Sequence, residues 1–275
     1  MTATGNFDKY KYYMASVQSP EEDMKFVNQA FREARGEKAV ANILREDFCG
    51  TFANCTAWVK QSDVKVAYGV DLDPEPLAWG NKQHFAPLNS VQKERLKVIQ
   101  GDVLSPDLPY ADAICALNFS YFLFKERLEL KRYFTNCVKT LNKNGILVLD
   151  CFGGSSCTEP NEEETEYEDE GYSYFWDQDM FDPLNNHALF HIHFQLAGEP
   201  KREKVFTYDW RMWSVPELRD LLLECGFTKV NTYWEGTTED GEGDGEYSIT
   251  ENGDDCESWV SYLVALKEVK LKTPT

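Results

Sequence analysis

The chain reads as an α/β protein: an open, mainly parallel sheet with helices on both faces and an inserted antiparallel β unit. Three observations predict it. Apolar runs of strand length alternate with helical periodicity from Ala39 to Phe152. The first such run ends in a sharp turn, Cys49-Gly50-Thr51, that opens a helix. After Glu170 the apolar pattern switches to a period of two.

Composition bounds the reading. With 275 residues, 42% of them hydrophobic and 14% aromatic, the chain can bury a full α/β core. No apolar run reaches the roughly 20 residues of a membrane span. Met1–Asn6 lacks the basic and apolar regions of a secretory leader. The eight cysteines are scattered without a Cys-x-x-Cys pair, as expected of reduced thiols in a cytoplasmic protein without a zinc site. The net charge of −19 is concentrated: Glu159–Glu170 holds eight acids and Glu235–Glu257 ten, with no Lys or Arg in either. Without these 18 acids, 29 acids face 28 bases, so the body is nearly neutral and the acidic segments read as solvated loops or insertions. A neutral body with acidic loops offers no basic track for nucleic acid.

The elements follow in order. Tyr10–Gln18 is an aromatic-rich arm, expected either to staple onto the body or to fold over a ligand. Ser19-Pro20-Glu21-Glu22 starts a helix with a capping serine, Pro at the first position and Glu three residues on; Gly36 ends it. Val40–Leu44 is strand one, Ala53–Gln61 the next helix, and Val64–Val70 strand two. A helix starts near Pro74; Lys97–Gln100 and Ala111–Leu117 are strands three and four. A long helix spans about Lys125 to Leu141, closed by Asn144-Gly145, before strand five at Ile146–Phe152, apolar throughout as a strand buried on both faces should be. The period-two runs between Glu170 and Asp209 predict two or three antiparallel strands. Ser214-Val215-Pro216-Glu217 is a second capping box, and Gly226 ends its helix. Thr228–Trp234 and Trp259–Lys267 are the last strands, able to pair as a hairpin. Three parts are expected: an N-terminal arm and helix over 1–37 (a candidate lid), a main domain over 38–268 containing the insert 159–213, and a tail over 269–275.

The strand ends carry the chemistry. Gly50 lets a ligand approach the backbone, and Asp71, at the end of Tyr68-Gly69-Val70-Asp71-Leu72-Asp73, sits where a carboxylate accepts both hydroxyls of a ribose. Together they suit a nucleoside-containing ligand. The ordered set resembles class I S-adenosylmethionine-dependent methyltransferases, whose seven-stranded sheet is Rossmann-like. The resemblance rests on Leu44-Arg45-Glu46-Asp47-Phe48-Cys49-Gly50-Thr51-Phe52, on Gly69-Val70-Asp71-Leu72-Asp73-Pro74, on Gln100-Gly101-Asp102-Val103, and on Leu141-Asn142-Lys143-Asn144-Gly145. The pair Glu217–Phe227 then Thr228–Trp234 matches that family's closing helix and strand, so the similarity covers about residues 38–268. Arg45–Thr51 also resembles a small methyltransferase group marked by that string. Of the three family glycines only the middle one is present; Phe48 and Phe52 replace the outer two.

The resemblance implies S-adenosylmethionine as cofactor. Glu46, Cys49, Gly50 and Thr51 then lie near its amino-acid end, and Asp71 takes the ribose. Leu72 packs on the adenine, with Asp102 and the Val103 N–H on its edge. Asn118 and Ser120 face the cofactor's amino group and transferred methyl. Arg45 is a candidate partner of the cofactor carboxylate, or else a structural ion pair. Candidate bases are Tyr13, Tyr121, His187, His191 and His193; no metal cluster is expected, and the two alternating histidines suit packing better than ligation. Tyr13, Tyr121, Trp176 and Arg211 are candidate acceptor contacts, in an insert rich enough in aromatics to wall a flat ring or a cationic amine. The expected activity is methyl transfer to N or O of a small molecule by in-line displacement, in a cytoplasmic monomer or homodimer without nucleic-acid or membrane partners. Three alternatives stand: an NAD(P)-dependent oxidoreductase, a non-catalytic nucleoside-binding scaffold, and a protein methyltransferase docking a basic partner on acidic loops.

Overall fold

The computed structural model describes residues 7–238 and 243–268. The expected tail over 269–275, the first six residues and part of the second acidic segment lie outside it. In chain order the helices α1 (Lys9–Val17) and α2 (Pro20–Arg35) precede β1 (Ile43–Asp47), α3 (Ala53–Lys60) and β2 (Val66–Asp71). Next come α4 (Pro74–Gly80), α5 (Ser90–Arg95), β3 (Leu96–Gln100), β4 (Ala111–Ala116), α6 (Arg127–Thr140) and β5 (Leu141–Gly153). The insert contributes β6 (Asn161–Tyr167), β7 (Tyr172–Asp182), β8 (His187–Leu196) and β9 (Arg202–Arg211). The chain closes with α7 (Val215–Cys225), β10 (Lys229–Thr237), β11 (Gly243–Ile249) and β12 (Trp259–Leu266).

Eight strands form the main sheet in the order β11-β10-β12-β5-β4-β1-β2-β3. The five from β5 to β3 are parallel; β12 enters antiparallel beside β5, and β10 antiparallel beside β12. The strand order reverses between β1 and β4, and the crevice outside their carboxyl ends is where such sheets take ligands. One core cluster joins α2 and α3 to the sheet through Met24, Val27, Phe52 and Trp58. The other joins α6 and α7 through Tyr133, Phe134, Leu218 and Leu222. Each large side chain so buried contributes about 1.5–3 kcal/mol.

Several expectations need correction. Strand one runs to Asp47, not Leu44, because Arg45 and Asp47 neutralise each other on one face of β1. Arg45 Nε and Nη2 donate to the Asp47 carboxylate at 2.8 and 3.0 Å, while Nη1 donates to Thr140 Oγ1 and the Pro109 carbonyl. Arg45 is fully buried, and the pairing lets a strand continue through charges that would otherwise end it. The acidic segment 159–170 is not only a loop. It supplies β6, an edge strand whose glutamates stay exposed and deter further pairing, so the insert has four strands, ordered β6-β7-β8-β9. The acidic segment 235–257 likewise supplies β11, the eighth strand of the main sheet. Ser19 makes no side-chain capping bond, whereas Ser214 and Glu217 form the expected box. Asn144 and Gly145 lie within β5, past an irregular pairing with β4, rather than at a helix end.

Replacing Arg45 by methionine leaves Asp47 charged and without its main partner in a dry core. Urea unfolding is expected to show a loss of about 3–5 kcal/mol for Arg45→Met, with most of it recovered in Arg45→Met/Asp47→Leu.

Candidate active site

The turn after β1 is built from left-handed residues. Phe48, Gly50 and Phe52 have φ of 58°, 50° and 50°. These are the three positions where the resembling family has glycine, and here phenylalanine takes the left-handed conformation at two of them. A side chain in this region costs about 1–2 kcal/mol. Burial offsets it: Phe52 is fully buried, and the Phe48 ring packs edge-on to Phe124 and Tyr133 at 5.8 and 5.5 Å. Gly80 of α4 makes room for the turn, since a Cβ there would lie 2.3 Å from the Thr51 carbonyl oxygen. At Gly50 a Cβ would meet nothing within 4 Å, which leaves that face of the backbone open to a ligand.

Carboxylates hold each neighbouring strand end in place. Asp71 Oδ2 accepts the Gly50 N–H at 2.7 Å and Oδ1 accepts the Asp73 N–H at 2.9 Å. Each oxygen keeps a further lone pair, enough for a ribose diol. Glu46 accepts from Asn54 Nδ2 at 3.0 Å and from the Cys55 N–H at 3.2 Å, fixing the start of α3. Burial pushes its carboxyl up to about 8, against the pull of the Cys55 and Asn54 hydrogen bonds and with a small push from Asp23. Asp150, absent from the sequence reading, accepts the Asn118 and Phe119 N–H groups at 2.6 and 2.9 Å, and both residues are left-handed (φ 55° and 56°). Burial raises Asp150 to about 7, although those two N–H groups favour its ionised form. The only hint of it in sequence was an aspartate inside an apolar strand.

Three cavities meet along this edge. The first, about 420 Å³, lies between Asp71, Leu72, Asp102, Val103 and Leu123. Leu72 is 68% and Leu123 45% exposed, two apolar side chains facing one cleft, as walls for a flat base would be. Asp102 spends one oxygen on the Leu104 N–H at 2.8 Å. The second cavity, about 190 Å³, shares Phe48 and Asp73 with the first and is lined by Glu46, Cys49, Gly50, Thr51, Asn118 and Ser120. Gln18 also reaches it, with a buried Oε1 that has no hydrogen-bond partner. The third, about 240 Å³, opens beneath the cap sheet β6–β9 and shares Tyr13, Asn118 and Tyr208 with the second.

Helix α1 covers the junction. It is anchored on the main domain by the Trp79 Nε1–Asp8 Oδ2 hydrogen bond at 2.9 Å and the Lys9–Glu75 ion pair at 2.7 Å. Its aromatics reach the cap, with Tyr12 against Tyr172 at 4.9 Å and Tyr13 against Phe206 at 4.9 Å. The arm therefore staples two parts of the molecule and also lines the cavities. Burial pushes the Tyr13 phenol up, eased by the neighbouring Tyr208 hydroxyl.

Other expected site residues stand elsewhere. Arg45 has spent its donors on Asp47, Thr140 and Pro109, so it does not reach a cofactor carboxylate. Tyr121 is fully buried and donates to the Asp150 carbonyl oxygen at 2.6 Å, with its phenol raised by burial; it is a core side chain, neither base nor acceptor contact. Arg211 is drawn to Glu217 at 3.2 Å and lies 3.8 Å over the Trp213 ring, outside the cavity that Trp176 lines. His191 and His193 lie on the outer face of β8, with Nε2 atoms 3.1 and 3.0 Å from Asp179 and Asp177. Glu162, Asp177 and His193 stand close enough to surround an ion. The Lys204 N–H donates to His193 Nδ1 at 2.7 Å, which puts the neutral ring's proton on the very nitrogen facing the acids. A hydrogen-bonded pair fits that set better than metal ligation.

Residues 47–149 match the family described as methyltransferase domain. No curated protein matches the chain in sequence. Among solved structures, an S-adenosylmethionine-dependent methyltransferase from Clostridium acetobutylicum superposes with a TM-score of 0.68 at 15% identity, covering 95% of this chain and 98% of that one. CalS10, an amino pentose methyltransferase from Micromonospora echinaspora solved with S-adenosylmethionine, gives 0.66 at 17% identity over 97% and 100%. The sugar N-methyltransferase KedS8 from Streptoalloteichus gives 0.62 at 18% identity over 98% and 97%. At such identities the likeness is one of fold. With the strand order, the domain match marks residues 47–149 as a methyltransferase domain within a fold of that kind. The methyltransferase domain makes the protein an enzyme that uses S-adenosylmethionine. The side chains fit that group: apolar walls for the base, open space at Gly50, and an unpaired buried acceptor, Gln18 Oε1, at the amino-acid end.

Two outcomes are expected. First, Asp71→Ala lowers S-adenosylhomocysteine affinity at least tenfold by calorimetry, on the order of one charge-assisted hydrogen bond. Second, stability falls as pH rises from the ordinary glutamate value of 4.5 towards 8, because in that window only the folded state keeps the Glu46 proton. Below 4.5 both states hold it, and the stabilisation is fully present. Glu46→Gln flattens this fall in urea unfolding across that range; Asp150 and Asp23, both raised by burial, add slope of the same sign.

Proposed function

We propose that this enzyme methylates N or O of a small molecule held between the carboxyl edge of the main sheet and the antiparallel cap. The observation that carries the reading is the walls the three cavities share: Phe48 and Asp73 between the Leu72 cleft and the Gly50 turn, and Tyr13, Asn118 and Tyr208 between the turn and the aromatic chamber under β7–β9. When bound, S-adenosylmethionine supplies a methyl group already activated on a sulfonium. The protein then has mainly to orient a nucleophile and keep water out. In this reading Asp71, Leu72, Asp102 and Val103 hold the adenosine half, while Glu46, Cys49, Gly50, Thr51, Asn118, Ser120 and Gln18 surround the amino-acid half.

Tyr13 and Tyr208 stand where the second and third cavities meet, so they position the acceptor atom. Trp176 forms part of the chamber wall beyond them. Tyr13, whose phenol is raised by burial, acts here as a hydrogen-bond donor to the acceptor rather than as a strong base. A small acceptor is supported by the chamber's volume of about 240 Å³, and by fold neighbours that act on amino pentose and sugar substrates. Among the described residues no helix is long and apolar enough to cross a membrane. We assign the enzyme to the cytoplasm, as a monomer or homodimer, with helix α1 as the lid over the junction.

A cofactor-consumption screen against amines, phenols and carboxylates tests the activity. For any acceptor found, Trp176→Ala is expected to cut kcat/KM at least tenfold while S-adenosylhomocysteine affinity stays within about twofold. Equal loss of cofactor binding in that variant would count against a separate acceptor chamber.

A further inference from the structure

One turn divides the two inner cavities, and an acid that borders neither holds it. Asn118 lines both the Gly50-turn cavity and the chamber under the cap, Phe119 lines the chamber, and Ser120 lines the Gly50-turn cavity. Asn118 and Phe119 are both left-handed, with φ of 55° and 56°. Asparagine visits that region at little cost, but a bulky ring does so only where its surroundings dictate it. What dictates it here is Asp150 of β5. Its Oδ2 accepts the Asn118 N–H at 2.6 Å, its Oδ1 the Phe119 N–H at 2.9 Å, and its carbonyl oxygen the Tyr121 hydroxyl at 2.6 Å. Two successive N–H groups converging on one point form the concavity in which proteins bind anions. In this chain the occupant is internal. Strain of this kind, enforced at the wall of a binding cavity, points to a site that has to be held in shape.

Asp150 performs this task fully only while it is charged. An ionised carboxylate accepts from both N–H groups at once, whereas the neutral acid sets a hydroxyl against one of them. Asp150 is 7% exposed, and burial raises it to about 7 against the pull of the Phe119 and Asn118 N–H groups. The charge that reaches it from another element is that of Asp23 on α2. Tyr13 of α1, Tyr121, Tyr247 of β11 and Tyr262 of β12 face it as phenols, and Cys115 and Cys151 as thiols. Burial raises all six, so they stay neutral where Asp150 titrates.

Resting on the cofactor and acceptor reading above, we propose that Asp150 is a positioning residue for the reaction. Its carboxylate fixes the Asn118–Phe119 turn, and with it the wall between the cofactor's amino-acid pocket and the acceptor chamber. Asp150 touches neither ligand. Through the turn it sets where Asn118 stands against the cofactor and where the Phe119 ring stands against the acceptor. Neutralising the acid slackens the turn and weakens cofactor binding.

Calorimetry with S-adenosylhomocysteine on the whole chain and on Asp150→Asn, at about pH 5.5 and about pH 8.5, tests this. Asparagine keeps the size of the side chain but turns an amide N–H toward one of the two donors. At the higher pH Asp150→Asn is expected to bind about tenfold more weakly than the unaltered chain, the scale of one hydrogen bond to a charged group. At the lower pH, where the native acid is itself neutral, the two are expected to agree within about twofold. Glu46 and Asp23 titrate over the same range in both proteins, so the ratio of affinities isolates Asp150. The thermal midpoint of Asp150→Asn at the higher pH is expected to equal or exceed that of the unaltered chain, because a buried charge is gone. A merely structural role would lower midpoint and affinity together at both pH values. Should Asp150→Asn not fold, Asn118→Gly is the second variant. Glycine holds the left-handed turn without strain, so the drop in affinity from the higher to the lower pH is expected to shrink. An equal loss at both pH values, no loss at either, a lowered midpoint, or an undiminished drop in Asn118→Gly would overturn the assignment. If S-adenosylhomocysteine fails to bind the unaltered chain at either pH, the cofactor reading falls as well, so that titration tells the two failures apart.

Discussion

The hydrogen bond from the Gly50 N–H to Asp71 is the contact on which the site depends. It ties the turn after β1 to the end of the adjacent parallel strand β2, and it holds Gly50 left-handed between two left-handed phenylalanines. Without it the strained turn would have little reason to keep a path that exposes backbone toward the cleft. Phe48 and Phe52, standing where the resembling family has glycine, themselves take the left-handed conformation. Burial of the two rings supplies what lost backbone freedom costs, and Gly80 clears the space the second one needs.

The same device recurs along the edge. Glu46 at the end of β1, Asp71 at the end of β2 and Asp150 near the end of β5 each accept backbone N–H groups from a turn or helix start on a neighbouring segment. A carboxylate can satisfy several donors at once, which suits the exposed N–H groups of non-helical turns. Two of the three acids are buried deeply enough for desolvation to raise them well above the ordinary carboxylate range.

The cap and the N-terminal helix turn an open crevice into an enclosed chamber. Neither does so alone: β7–β9 present an aromatic inner face, and α1 bridges from that face to α4 through Tyr12, Tyr13, Asp8 and Lys9. Six of the acidic residues that dominate the net charge, Glu162, Glu163, Glu164 and Glu166 on β6 and Asp244 and Glu246 on β11, lie on edge strands, where their solvation blunts edge-to-edge pairing. Charge that looked like loop composition serves to end two sheets.

By itself the sequence determined the βα alternation, the Gly50 turn, the Asp71 strand end and the Ser214 capping box, because each is written in local spacing or in one residue's backbone preference. Periodicity also located the antiparallel insert, though not its fourth strand, since an edge strand needs no apolar alternation to pair on one side. What only the tertiary structure decided were the partners of polar groups. Arg45 and Tyr121 sit beside the right motifs but turn into the core, where Asp47 and the Asp150 carbonyl receive them. Asp150 gains its partners from a turn distant in sequence, and no local pattern encodes where a buried hydrogen bond will go.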